Sequence, residues 1–131
     1  MFYSRTLTIP AKTYQASPVR ANMRVSEGVV RRVWVRWRWG TGGLCGVRMR
    51  YREYVHWPLS QQEWFPSTPD PLEFEDSFKL GDVPSTIVLE GYNIDDTFDH
   101  TVWVAFDIQR PMMSEGMRGF LQDVGGMVSN A

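Results

Sequence analysis

Between residues 19 and 52 apolar side chains return at every second position, a period that folds as half-buried strands and not as helices. In VRANMRVS (19–26), Val19, Ala21, Met23 and Val25 take one face; Arg20, Asn22, Arg24 and Ser26 take the other. In RRVWVRWRWG (31–40), Val33, Val35, Trp37 and Trp39 share a face against Arg32, Trp34, Arg36 and Arg38. In CGVRMRYR (45–52), Cys45, Val47, Met49 and Tyr51 alternate with Gly46, Arg48, Arg50 and Arg52. The intervening GTGG (40–43) reads as a hairpin loop whose glycines supply unusual dihedrals. Antiparallel partners point to the same side, so the register is testable. Setting position 39 opposite 45 pairs Trp39/Cys45, Trp37/Val47, Val35/Met49 and Val33/Tyr51. Every pair on that face is apolar, whereas a one-residue slip would put Arg48 opposite Val35. This register gathers Arg32, Trp34, Arg36, Arg38, Arg48, Arg50 and Arg52 on one outer face, the expected partner-binding surface.

The rest of the chain repeats the pattern. TLTIP near the start reads as an edge strand stopped by Pro10. Further strands are expected in LEFEDSFKL (72–80), STIVLEGYN (85–93) and TVWVAFDIQ (101–109), with turns at 81–84 and 93–96. Residues 57–71 carry four prolines and read as a long loop. No segment before residue 110 has a helical period. About seven or eight short strands predict an all-β fold, an antiparallel β-sandwich of jelly-roll or Greek-key type, with extended terminal arms. At 131 residues one domain is expected: a sandwich over 1–110 and a Met/Gly-rich C-terminal arm over 111–131, with a short helical turn around 113–122.

Charge is segregated along this chain. Residues 31–52 hold seven arginines and no acid; residues 70–107 hold ten acids and one lysine, Lys79, a net of −9. Like charges facing one another across strands destabilise a sheet, so the arginines need neutralising. Carboxylates suit them, from the acidic block of the same chain or from a neighbouring subunit, because guanidinium pairs with carboxylate in bidentate fashion. A single-stranded nucleic acid stacking on Trp34 is the less favoured partner, since the net charge is only −1 and gives no global attraction to polyanions or anionic membrane.

Catalytic and metal-binding patterns are missing from the sequence. His56 and His100 have no flanking ligand spacing. Cys45 falls on the apolar face, where cysteine behaves as a small hydrophobe, and a lone cysteine closes no internal disulfide. No serine sits in G-x-S-x-G and no glycine loop ends in Gly-Lys-Ser/Thr. The carboxylates of NIDDTFDH, Asp95, Asp96 and Asp99, are read as turn formers that bond their own backbone, not as a calcium loop, whose spacing they lack. The reading is a protein that is no enzyme, with no cofactor and no metal. No apolar run approaches the ~18 residues of a membrane span and the first residues lack a secretion signal, so a soluble, unexported protein is expected. Trp57, Trp64 and Phe65 flank the proline-rich loop; they are read as caps on the sandwich or, alternatively, as a glycan-stacking platform, with Trp34 and Trp103 as further candidates.

Taken together, TLTIPAKTYQASPVRANMRVSEGVVRRVWVRW, GLCGVRMRY, HWPLSQQEWF, LEFEDSFKL and TIVLEGYNIDDTFDHTVWVAF resemble a group of small β-sandwich structural proteins of tailed bacteriophages. The resemblance spans about residues 6–106; GLCGVRM, HWPLSQQEWF and YNIDDTFDHTVWV are its least generic pieces. It implies a non-enzymatic virion component that decorates or cements a capsid, located in the virion after assembly in the host cytoplasm. The implied partners are the major capsid protein, other virion subunits and copies of itself. The tail after residue 110 is not covered.

Overall fold

The computed structural model describes residues 1–58, 63–81 and 85–110. Among them are nine strands and no helix: β1 (Phe2–Ile9), β2 (Val19–Val25), β3 (Val29–Trp37), β4 (Cys45–Tyr51), β5 (Tyr54–Trp57), β6 (Phe65–Pro66), β7 (Leu72–Lys79), β8 (Ser85–Asn93) and β9 (His100–Gln109). They form two antiparallel sheets. Sheet A has the order β1-β9-β3-β7, and sheet B the order β2-β8-β4-β5 with β6 also on β4. Successive strands from β1 to β4 alternate between sheets, as do β7, β8 and β9. This interleaved order is that of a double-sheet jelly roll, and the β-sandwich expected from the alternation is what the chain forms.

The core is the space between the sheets, filled by every second residue of each. Sheet A contributes Leu7, Ile9, Val33, Val35, Trp37, Val102, Val104, Phe106 and Ile108; sheet B contributes Met23, Val25, Cys45, Val47, Met49, Tyr51, Ile87 and Leu89, all buried. Two glycines permit close approaches. At Gly91 an added Cβ would stand 2.5 Å from Ile9 Cδ1, so β1 lies over β8 only because no side chain intervenes. Gly28, at φ +145°, turns the chain from sheet B into sheet A, and a Cβ there would meet Gln109 O at 2.6 Å. Just after it, the register shifts between Val30 and Arg32 against both β7 and β9, a bulge that restores the inward parity of Val33.

The hairpin expected between β3 and β4 is not formed. β3 pairs with β7 and β9, while β4 pairs with β5, β6 and β8. Residues 38–44 are an arch that carries the chain from one sheet to the other. The apolar parity expected for both strands holds, because faces that meet across a core show the same alternation as faces paired in a hairpin. The exception is Trp39, expected inside and found 92% exposed on the arch. β5 and β6 were not anticipated; they occupy parts of the segments around the proline-rich loop. Most of the 81–84 turn, part of the 57–71 loop and the whole Met/Gly-rich arm over 111–131 lie outside the described residues.

Candidate partner-binding surfaces

Because β3 and β4 lie in different sheets, the single arginine face expected from the sequence is divided between opposite sides of the molecule. Arg48 and Arg50 point outward from sheet B; Arg32, Trp34 and Arg36 point outward from sheet A. Arg38 sits on the arch. Arg52 belongs to the turn after β4, in a left-handed conformation (φ 60°), with its guanidinium 5.2 Å from the Tyr51 ring centre.

On sheet B the arginines converge on one carboxylate. Glu90 of β8 is opposite Arg20 on β2 and Arg48 on β4. Arg48 Nε donates to Glu90 Oε1 at 2.7 Å and Arg20 Nε to Oε2 at 2.6 Å, with Arg50 Nη1 3.7 Å from Oε1. The Glu90 side chain has no exposed surface. Burial alone would raise its carboxyl pKa, but the two guanidinium hydrogen bonds and their charge outweigh burial and hold it below the ordinary glutamate range. The cluster is roofed by Trp64, whose ring lies 4.1 Å from the Arg48 guanidinium and meets Tyr92 edge-on at 5.0 Å. Tyr92 in turn lies over Gly46, where a Cβ would not fit. Neither Glu90 nor Arg20 is conspicuous in the sequence. The only available signal was that Glu90 is an outward position of a strand in an acid block large enough to need cations.

On sheet A, Arg32 bridges Glu73 (2.7 Å) and Glu75 (2.9 Å) of the neighbouring β7. The acidic block of the same chain therefore covers Arg32 as well as Arg48, one of the two carboxylate sources expected. Beside Arg32 the outer face turns aromatic. The rings of Phe2 and Trp34 meet at 5.4 Å, those of Phe2 and Trp103 at 6.2 Å, and the Arg36 guanidinium lies 5.5 Å from the Trp103 ring centre. Phe2 is 54% exposed. The strip continues into an open groove of about 520 Å³ lined by Arg36, Arg38, Trp39, Trp103, Pro69 and Pro71. Arg36 and Arg38 make no ion pair among the described residues.

The platform Trp57–Trp64–Phe65 is not assembled for stacking. Trp57 is 2% exposed, donates Nε1–H to Asp76 (2.7 Å) and packs on Phe78 and Phe106 in the core. Phe65 packs on Phe74, and Trp64 is committed to Arg48 and Tyr92. Trp39 is the exposed tryptophan among the described residues, Trp34 and Trp103 are half-buried on the outer face of sheet A, and Phe2, Tyr14, Tyr54 and Phe98 are also exposed.

The polar residues weighed for chemistry are occupied by structure. Cys45 is fully buried; desolvation, with a smaller contribution from the Asp95 charge, pushes its thiol up to about 12, and it donates to Asn93 Oδ1 at 3.4 Å. His56 is pushed below the ordinary histidine value by burial, partly offset by Asp76. Asp95 Oδ1 accepts from the backbone N–H of Thr97 and Phe98, and its Oδ2 stands 2.8 Å from His100 Nε2; these bonds, His100 first, hold its carboxyl below the ordinary range. Asp99 accepts from Ala11 N–H at 3.0 Å and Asp96 from the Thr97 hydroxyl at 3.0 Å. Asp95 thus forms the turn by bonding its backbone, whereas Asp99 ties the turn to Ala11 and Asp96 bonds a side chain. No group of three or more His, Cys, Asp or Glu capable of holding a metal converges among the described residues. No helix among them is long and apolar enough to cross a membrane. Compared with protein-family models, curated proteins and solved structures, the chain matches none.

Proposed function

We propose that the protein is a non-enzymatic assembly protein of a tailed-bacteriophage virion, decorating or cementing the capsid by protein–protein contact through the outer face of sheet A. The observation that carries this reading is the Phe2–Trp34–Trp103–Arg36 strip, an open aromatic and guanidinium surface on a rigid sheet. Aromatics and arginine are the residues enriched where binding energy concentrates in protein interfaces. Arg32, paired to Glu73 and Glu75, borders that strip without leaving a strong unpaired charge. The jelly-roll body agrees with a capsid-associated role only at the level of analogy, since the same fold serves lectins and cupins. The phage assignment itself rests on the sequence resemblance.

The test is co-sedimentation of the purified chain with capsids of its own phage. Saturable binding that falls about tenfold or more in Trp34→Ser and Trp103→Ser is expected. A chain that stays in the supernatant, or variants that bind like the wild type, would refute the reading. Glycan binding remains a second reading because the groove holds two indoles, Trp39 and Trp103, beside Arg36. Isothermal titration with neutral and acidic oligosaccharides separates the two.

A further inference from the structure

One end of the sandwich exposes apolar side chains that the sheet faces do not explain. Trp39 is 92%, Phe98 65% and Ile94 48% exposed. They belong to two segments that the backbone ties together: Arg38 N–H donates to Thr101 O at 3.0 Å, and Ile94 N–H to Leu44 O at 2.9 Å. The arch over 38–44 and the turn over 94–99 are thus neighbours on one rigid end. That turn is itself braced by the Asp95 and Asn93 hydrogen bonds.

The charges on these segments are opposite. The arch carries Arg38 and the turn carries Asp96, both exposed and without an ion pair among the described residues; the Asp96 carboxylate accepts from the Thr97 hydroxyl. Beside Trp39 the groove lined by Pro69, Pro71 and Trp103 is open. The end therefore holds a knob (Phe98 with Asp96) and a receptor (Trp39 and the groove with Arg38). A surface that carries both halves of a contact on one rigid end meets the condition for an isologous contact, where residue i meets residue j and j meets i.

We propose that this end is an isologous interface between two copies of the chain, with Phe98 of one copy against Trp39 of the other and Asp96 paired to Arg38 twice over. A second copy is favoured over a glycan because the turn supplies the apolar ring and the carboxylate together, at a site fixed relative to the receptor. This contact does not depend on the capsid assignment; its groove adjoins the Phe2–Trp34–Trp103 strip and shares Trp103 with it, whereas Arg38, Trp39, Asp96 and Phe98 lie outside the strip.

Sedimentation velocity of the full chain, from low to high micromolar, reads it directly. The wild type is expected to pass from monomer to dimer. Arg38→Asp and Asp96→Arg are each expected to weaken dimerisation about tenfold or more, and their combination to restore most of it. Trp39→Ser is expected to abolish it. All three side chains are exposed, so near-ultraviolet dichroism should show every variant folded. A monomer at every concentration overturns the proposal, as do single reversals without effect, a double reversal that fails to rescue, or growth past the dimer. Binding of an acidic oligosaccharide at Trp39 by a strictly monomeric chain overturns it in favour of a glycan site.

Discussion

Glu90→Gln removes one negative charge and almost no volume from the centre of sheet B. The Glu90 side chain is fully buried, and the arginine side chains around it are 16% (Arg48), 29% (Arg50) and 62% (Arg20) exposed. Breaking a buried ion pair by neutralising one partner costs about 3–5 kcal/mol, because the other charge stays behind uncompensated. Arg20 is mostly in water and adds at most about 1 kcal/mol, as surface pairs do. The glutamine also keeps one acceptor oxygen for Arg48. The expected loss is therefore at the low end, about 3 kcal/mol, or a fall in Tm of about 10 °C for a domain of this size. Urea denaturation at neutral pH measures it, with Arg48→Ala expected to cost about 2 kcal/mol and Arg20→Ala less than about 1 kcal/mol. The pH dependence has a definite sign. The folded carboxyl sits below its unfolded value of about 4.3, so its stabilisation is complete above that pH and is lost as pH falls through the lower folded value. The gap between wild type and Glu90→Gln should close on acidification over that window. A neutral-pH gap under about 1 kcal/mol, a gap indifferent to acid, or Arg20 costing more than Arg48 would refute the keystone role.

Three other outcomes follow from the geometry. Gly28→Ala should cost about 3 kcal/mol in chemical denaturation, since the new Cβ meets the Gln109 carbonyl at 2.6 Å in a left-handed backbone; Gly43→Ala, with open space around it, should cost only about 1 kcal/mol. Asn93→Ala should lose about 3 kcal/mol, because the buried amide donates to Ile9 O and Phe98 O and accepts from Asp95 N–H and the Cys45 thiol; Asn93→Asp, which cannot donate, should be no better. Cys45 should resist a disulfide-exchange reagent at mildly alkaline pH in the folded chain and react at once in guanidinium, as its burial and a thiol pKa of about 12 require.

The strands were legible because a half-buried strand writes its period into the sequence: β2, β3, β4, β7, β8 and β9 all fall where alternation or strand composition placed them. Their neighbours were not legible. Val35 and Met49 look like hairpin partners whether they are side by side in one sheet or opposed across a core, since in both cases their apolar sides agree. The glycines of the GTGG segment serve an arch as well as a hairpin. Trp39 escaped because parity continues on paper past the end of β3, while the chain itself has already turned out of the sheet. Trp57 packs inward as the capping reading expects, but how deeply was not legible, because the short strand β5 that carries it has too few residues to show a period. The turn role of Asp95 was legible, since Asx-type bonding is local and needs no tertiary knowledge; the bond from Ala11 N–H to Asp99 is tertiary and was not. The acidic block was legible as a source of carboxylates, but the convergence on Glu90 was not, because that cluster joins three strands far apart in sequence.

The jelly-roll order also governs when structure becomes possible. β8 supplies the neighbour of both β2 and β4, and β9 the neighbour of both β1 and β3. A nascent chain that has reached only the end of β7 holds just the β3–β7, β4–β5 and β4–β6 pairs, with β1 and β2 unpartnered. The last two strands template the first four, so closing long loops precedes nearly every stabilising contact, the regime of slow, millisecond-to-second folding. During synthesis the half-buried strand β2 must wait with its apolar side uncovered until residue 85 and beyond have left the ribosome.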